Sequence, residues 1–227
     1  MTTRAATNEE IARWDEFLAA NPDGGNVFQS SALAETKRLN GWRPRYIFAD
    51  TLAVTVLEKT VPLLGTFWYL PKGPGVTDVT TLLSLLSELK SFARSQGVFA
   101  LKIEPEVLET DETKVQLLKA GLIHTRHVQP NSFTVVLDLS PSLDEIMANL
   151  NQKGRHAIHR AERDGVTTAQ VELSEENMRT MFNLLAETAA GRFETSLRSY
   201  EYYKAFWQRF ATMGRGGLFF AYYEGKV

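Results

Sequence analysis

The chain has 227 residues, a net charge of −2 at pH 7, and 44% hydrophobic and 11% aromatic residues. That length allows one large domain or two small ones with a sizeable core, while the charge excludes a surface that binds nucleic acid everywhere, so an anionic partner must be met by a local patch. There is no cysteine, which removes disulfides, thiolate catalysis and cysteine-ligated metals together.

Residues 1–14 are polar and helix-like, without the apolar core of a signal peptide, and no later window is apolar enough to span a bilayer. The most apolar window, 82–89, is interrupted by Ser84, Ser87 and Glu88 at helical spacing and reads as an amphipathic core helix. A cytoplasmic protein is expected.

Thr7 is placed to cap a helix over 8–18, which Asn21-Pro22-Asp23-Gly24-Gly25 stops. Ser30 or Ser31 caps a second helix running to Arg38. Residues 42–48, 53–57 and 66–70 read as strands, and Pro71-Lys72-Gly73-Pro74-Gly75 closes the last of them as a rigid loop. That loop lacks the spacing of a nucleotide phosphate cradle, and Pro74 removes an N–H such a cradle would use. A helix over 80–96 leads to a buried strand, 99–103, then a short helix over 113–120 and strands at 123–128 and 133–139. This order favours an α/β fold with a mixed, partly antiparallel sheet flanked by helices over a doubly wound parallel sheet.

Residues 143–165 read as one helix, with Lys153, Arg155, Arg160 and Arg163 beside His156 and His159. Ile146, Leu150, Ala157, Ile158 and Ala161 form its expected buried stripe. Its arginines suit phosphate or carboxylate, or only water. A strand at 166–173, helices at 175–189 and 200–213, a strand at 217–223 and a hairpin tip at Glu224-Gly225 follow, the last strand needing an earlier one as partner. His124 with His127, and His156 with His159, have the spacing His-x-x-His. In a strand that offset puts the rings on opposite faces, and in a helix it is less apt than i, i+4. No metal and no other cofactor is expected.

Phe28-Gln29-Ser30, Lys37, Gly41-Trp42, Tyr69-Leu70-Pro71-Lys72-Gly73-Pro74, Lys102-Ile103-Glu104-Pro105, Gln129-Pro130, the run 155–166, and Arg198 with Tyr202 and Tyr203 occur in that order. This ordered set resembles the pattern of the FemABX-type peptidyltransferases. The resemblance implies tandem acetyltransferase-type (GNAT-like) domains, residues 1–143 being the first and 144–227 an incomplete second, so that the chain reads as a piece of a longer protein. The family's coiled-coil arm has no counterpart, since no long heptad run is present. The implied activity moves an amino acid from aminoacyl-tRNA to the stem peptide of a peptidoglycan precursor, UDP-linked or lipid-linked. The implied partners are that tRNA and that muropeptide, with peripheral contact at the inner face of the membrane and no DNA.

The same resemblance assigns Lys37 and Arg198 to the precursor's phosphates, and Trp42, Tyr69 and Tyr202 to substrate contacts. Read from the residues alone, Lys37 complements the negative end of its helix, an effect of ~0.3–1 kcal/mol. Glu104 follows a strand and precedes Pro105, which favours extended backbone. It is the one candidate catalytic residue, able to anchor or deprotonate an attacking amine, and otherwise a strand-end residue. Arg155, Arg160 and Arg163 are candidates for tRNA or phosphate contact. Two other activities fit the same pattern of elements. An N-acetyltransferase using acetyl-CoA would need a Gln/Arg-x-x-Gly-x-Gly/Ala loop after a strand, which is not found; the other is an RNA-binding or adaptor module without catalysis.

Overall fold

The first sheet strand begins earlier than the polar opening suggests: Thr3–Ala5 (β1) pairs antiparallel with Arg43–Ala49 (β2) in the computed structural model. Residues 2–126, 128–129, 135–190 and 197–227 are described, in two units, Met1–Pro130 and Asn131–Val227.

In the first unit the expected opening helix is two, Asn8–Ala12 (α1) and Trp14–Ala19 (α2), divided at Arg13. Thr7 and Glu10 form a capping box on α1, and the Ser30 side chain caps Ser31–Lys37 (α3). After β2 come Leu52–Val61 (β3), Gly65–Leu70 (β4), Val79–Ser95 (α4), Val98–Ile103 (β5) and Asp111–Lys119 (α5). The sheet order is β1-β2-β3-β4-β5. Only the β4–β5 pair is parallel, with α4 as its crossover, so the sheet is mixed and flanked by helices, as expected.

Strand alternation gives the sheet two apolar faces. On one, Ile47, Val54, Val56, Trp68 and Leu70 meet Leu82, Leu85, Leu86 and Leu89 of α4. Burying each such leucine contributes roughly 1.5–3 kcal/mol. On the other, Tyr46, Phe48, Ala53, Leu57 and Tyr69 meet Trp14 and Ala34. Trp14 packs edge-on against Tyr46 and Phe48 and donates its indole N–H to Thr55 Oγ1 at 2.8 Å.

The second unit holds Leu143–Asn149 (α6), Gln152–Arg163 (α7), Thr167–Val171 (β6), Glu175–Ala190 (α8), Tyr200–Thr212 (α9) and Leu218–Tyr222 (β7). β6 is the earlier strand that pairs antiparallel with β7. Phe182 of α8 packs against Tyr200 and Tyr203 of α9. Among the described residues, no helix is long and apolar enough to cross a membrane.

Three expectations are corrected. The basic helix is broken, because Leu150 is extended at ψ 148° and Asn151 starts α7 by accepting from Gly154 N–H. Its apolar stripe is not buried as expected: Ala157 and Ile158 are exposed, and Ile146, Leu150 and Ala161 are only half-buried. Residues 123–126 and 135–139 form no strand, whereas His127, Pro130, Phe133 and Thr134 lie outside the described residues. Side chains rather than a backbone ladder tie Thr125, Arg126 and Val128 to the end of β5: Lys102 donates to Thr125 Oγ1 and to Arg126 O, and Glu104 accepts from Val128 N–H. Val135, Val136 and Leu139 are exposed, so among the described residues their β-propensity has no packing surface to act through.

Gln29 is 1% exposed; it accepts from Thr55 N–H at 2.7 Å and donates to Pro71 O at 2.6 Å. Gln29→Ala leaves both groups without a partner, at about 1–3 kcal/mol each. Denaturant titration is expected to show an unfolding free energy lowered by roughly that sum, and an unchanged midpoint would show that the amide is not needed there.

Candidate functional site

Because β4 and β5 run parallel, they end side by side, with Tyr69 opposite Lys102 and Leu70 opposite Ile103. Glu104 therefore emerges beside Tyr69. The Tyr69 hydroxyl donates to the Glu104 carboxylate, which also accepts from Val128 N–H at 2.6 Å. Gln129 Nε2 stands 3.5 Å from the same hydroxyl. The Glu104 backbone N–H donates to Gly73 O at 3.1 Å, so the loop leaving β4 fixes the residue that leaves β5. A carboxylate has about four acceptor sites, and those left over can take an amine.

That loop is held from outside. Gln29 grips Pro71 O, and Glu106 accepts from Asn26 Nδ2 at 2.6 Å and pairs with Lys72 at 3.6 Å. A Cβ on Gly73 would lie 2.8 Å from the Gln29 amide, and one on Gly75 would lie 2.7 Å from Asp23 Oδ1. Both glycines allow this close approach. Trp42 extends the site, its ring 6.1 Å from Tyr69 and 6.2 Å from Phe67, with Lys59 Nζ 5.3 Å from its centre. Gly41, at φ 75°, turns the chain into β2, and Trp42 N–H donates to Lys37 O. Trp42, Tyr69 and Glu104 thus form one contiguous set, and Lys37 joins it through the backbone at Trp42.

In the second unit the Ser199 side chain caps α9 through Tyr202 N–H, and Arg198, just before the cap, has its guanidinium 5.7 Å from the Tyr202 ring centre. These two expected residues are together. Arg155 donates to Ala148 O at 3.0 Å and to Leu150 O, closing the end of α6. Arg160 faces Asp164 at 3.4 Å with both side chains exposed, and Arg163 is exposed. Of the three candidate phosphate contacts, Arg155 is committed to its own fold and Arg160 and Arg163 are turned to solvent.

The sequence model of the FemAB family matches residues 8–222. The chain belongs to the FemAB family. The chain is 28% identical over 201 residues to the lipid II:glycine glycyltransferase of Staphylococcus aureus strain MRSA252, covering 80% of this chain and 46% of that protein. The figures are the same for the glycyltransferase of strain USA300. The crystal structure of FemX superposes with a TM-score of 0.71 at 25% identity, over 97% of this chain and 57% of that one. The chain spans about half the length of the curated relatives it matches.

Within this FemAB chain, sequence reasoning missed how Gln29, Val128 N–H and Gln129 surround the Tyr69–Glu104 pair. The one available signal was a polar amide inside Phe28-Gln29-Ser30, next to segments that pack.

Burial, and the Glu104 carboxylate accepting its hydrogen bond, push the Tyr69 phenol up; burial, with Glu35 beside it, does the same to Tyr46. Both folded values lie above the usual 10.0. Such groups contribute stability below the unfolded value and lose it as pH rises towards the folded one. The denaturant midpoint is therefore expected to fall as pH passes about 10, and less steeply in Tyr69→Phe. A Tyr69→Phe profile superposable on the parent's would refute that linkage.

Proposed function

We propose that this FemAB chain is the part of an aminoacyltransferase that holds a peptidoglycan precursor while an amino acid passes from aminoacyl-tRNA to the precursor's stem peptide. The observation that carries this reading is the Trp42–Tyr69–Glu104 set at the ends of the parallel strands. It occurs in a family whose similar members are named as lipid II:glycine glycyltransferases.

In the proposed reaction the stem-peptide amine attacks the ester carbonyl of aminoacyl-tRNA. The C–N bond forms, the C–O bond to the terminal ribose breaks, and the ribose oxygen leaves with a proton. The amine must be neutral when it attacks, and Glu104 is assigned to orient it and to take the proton it loses. The Tyr69 and Val128 donors hold that carboxylate in place. Lys37 and Arg198 are assigned to the precursor's phosphates, Tyr202 to lining beside Arg198, and Arg160 and Arg163 to the tRNA backbone. Two GNAT-like domains, 1–143 and 144–227, and a place at the cytoplasmic face of the membrane belong to the same proposal.

The test is incubation of the full-length protein with charged tRNA and a UDP-linked or lipid-linked muropeptide, with mass spectrometry of the product. One added amino acid is the expected result, and acetylation of a simple amine by acetyl-CoA without that product would overturn it. Lys37→Ala and Arg198→Ala are each expected to weaken precursor binding about tenfold or more, in keeping with a lost charge-assisted hydrogen bond. The loss should shrink as salt rises. Titration calorimetry showing unchanged affinity in both variants would remove them from the site.

A further inference from the structure

The β3–β4 hairpin carries its apolar residues at the tip instead of the base. Leu63 is 106% exposed and Leu64 61%, with exposed Pro62 beside them. Leu63 also has φ 67°, a conformation uncommon for a bulky residue, in a turn closed by Leu64 N–H to Val61 O. Two adjacent leucines held out at a hairpin tip form a small exposed apolar patch of the kind that can enter an apolar partner.

The surroundings say which partner. Next along the hairpin is Lys59, exposed and seated over the Trp42 ring. On the other face of the same sheet end, Arg43 and Arg45 both converge on the single buried carboxylate of Glu58, so that two positive charges meet one negative. Arg94, in the last turn of α4, is exposed where that helix hands the chain to Val98 beside Thr66. Among the described residues, Lys59 and Arg94 make no ion pair. Phe99, half exposed, packs its ring 6.3 Å from Phe67 behind the tip. Apolar tip, aromatic collar and cationic rim are the order in which a bilayer presents acyl chains, interface and anionic headgroups. A second copy of the same face would set like charges against each other, and a nucleic acid offers nothing to the leucines.

We propose that this hairpin seats the protein on an anionic membrane, with Leu63 and Leu64 entering the boundary between acyl chains and headgroups and the surrounding cations meeting lipid phosphates. The proposal rests on the membrane placement given above but not on the transfer reaction, because Leu63, Leu64 and Arg94 lie in the first unit and none of them is assigned to substrate. Tyr69 is five or six residues from the tip along β4, on the order of 20 Å at strand rise. The candidate site would therefore stand just above the headgroups.

Vesicle co-sedimentation of the full-length protein tests this, with phosphatidylcholine alone and with phosphatidylcholine containing phosphatidylglycerol. The double variant Leu63→Asn with Leu64→Ser keeps the turn, since Asn tolerates positive φ. Binding to the anionic vesicles only is expected, weakened at least tenfold in the leucine variant with its melting temperature unchanged. Lys59→Gln with Arg94→Gln is expected to lower binding several-fold and flatten its salt dependence. Three results would overturn the proposal: no binding by the parent, equal binding by the leucine variant, or a dimer in sedimentation equilibrium that the leucine variant abolishes while vesicle binding is unaffected. Aminoacyl transfer to a soluble UDP-linked precursor should be the same in the leucine variant, so failure of the transfer reaction and failure of membrane seating read out separately.

Discussion

β3 outruns its neighbour. β4 pairs with β3 only from Leu57 to Val61, so the backbone groups of Ala53 and Thr55 that point towards β4 have no strand to meet. They are buried, and a buried orphan of this kind costs about as much as a lost hydrogen bond. Two side-chain amides stand in for the missing strand. Asn21 accepts from Ala53 N–H at 3.0 Å and donates to Ala53 O at 2.9 Å, and Gln29 accepts from Thr55 N–H. The segment between α2 and α3 is thereby sewn to the middle of the sheet.

This satisfaction of an open strand edge also fixes the candidate site. The Gln29 amide that completes β3 spends its N–H on Pro71 O, the first carbonyl after β4. The loop it holds presents Gly73 O to Glu104 N–H, so the end of β5 is set by the same amide that finishes β3. Glycine at 73 follows directly, because a side chain there would occupy the space of the Gln29 amide. Fold stability and the aim of the Glu104 carboxylate are one set of contacts, and a change at Gln29 acts on both.

Elements that carry their own period were legible in the sequence. The leucine spacing of α4, the alternation through β2 to β5 and the Thr7 and Ser30 caps are local signals, and each element formed within a few residues of its expected bounds. What depended on a distant partner was not legible. β1 is three mostly exposed residues whose only reason to be a strand is the free edge of β2. Residues 135–139 have strand composition and no ladder, the same dependence with the opposite outcome. Asn151 broke the basic helix because its side chain competes for the backbone as a cap, a choice that neighbouring apolar periodicity conceals. At the candidate site, Trp42 and Tyr69 were visible only through an ordered resemblance, and Glu104 also as a strand-end carboxylate before Pro105. The amide network behind them required the sheet register that brings residues 29, 55 and 71 together.

Charge along a helix and charge at a sheet end mean different things. On α7 the count of basic residues overstates what is available, since Arg155 closes α6, whereas Arg160 pairs only with exposed Asp164. Exposed pairs of that kind contribute little and open readily. At the β2–β3 end the reverse holds. Glu58 is buried, accepts from Trp68 Nε1 at 2.8 Å as well as from both arginines, and cannot balance them. A buried carboxylate with three donors is rigid, so the surplus positive charge is held at a fixed place in the sheet, several rungs up from the apolar tip. Position and rigidity, more than the number of basic residues, decide where an anionic surface would be met.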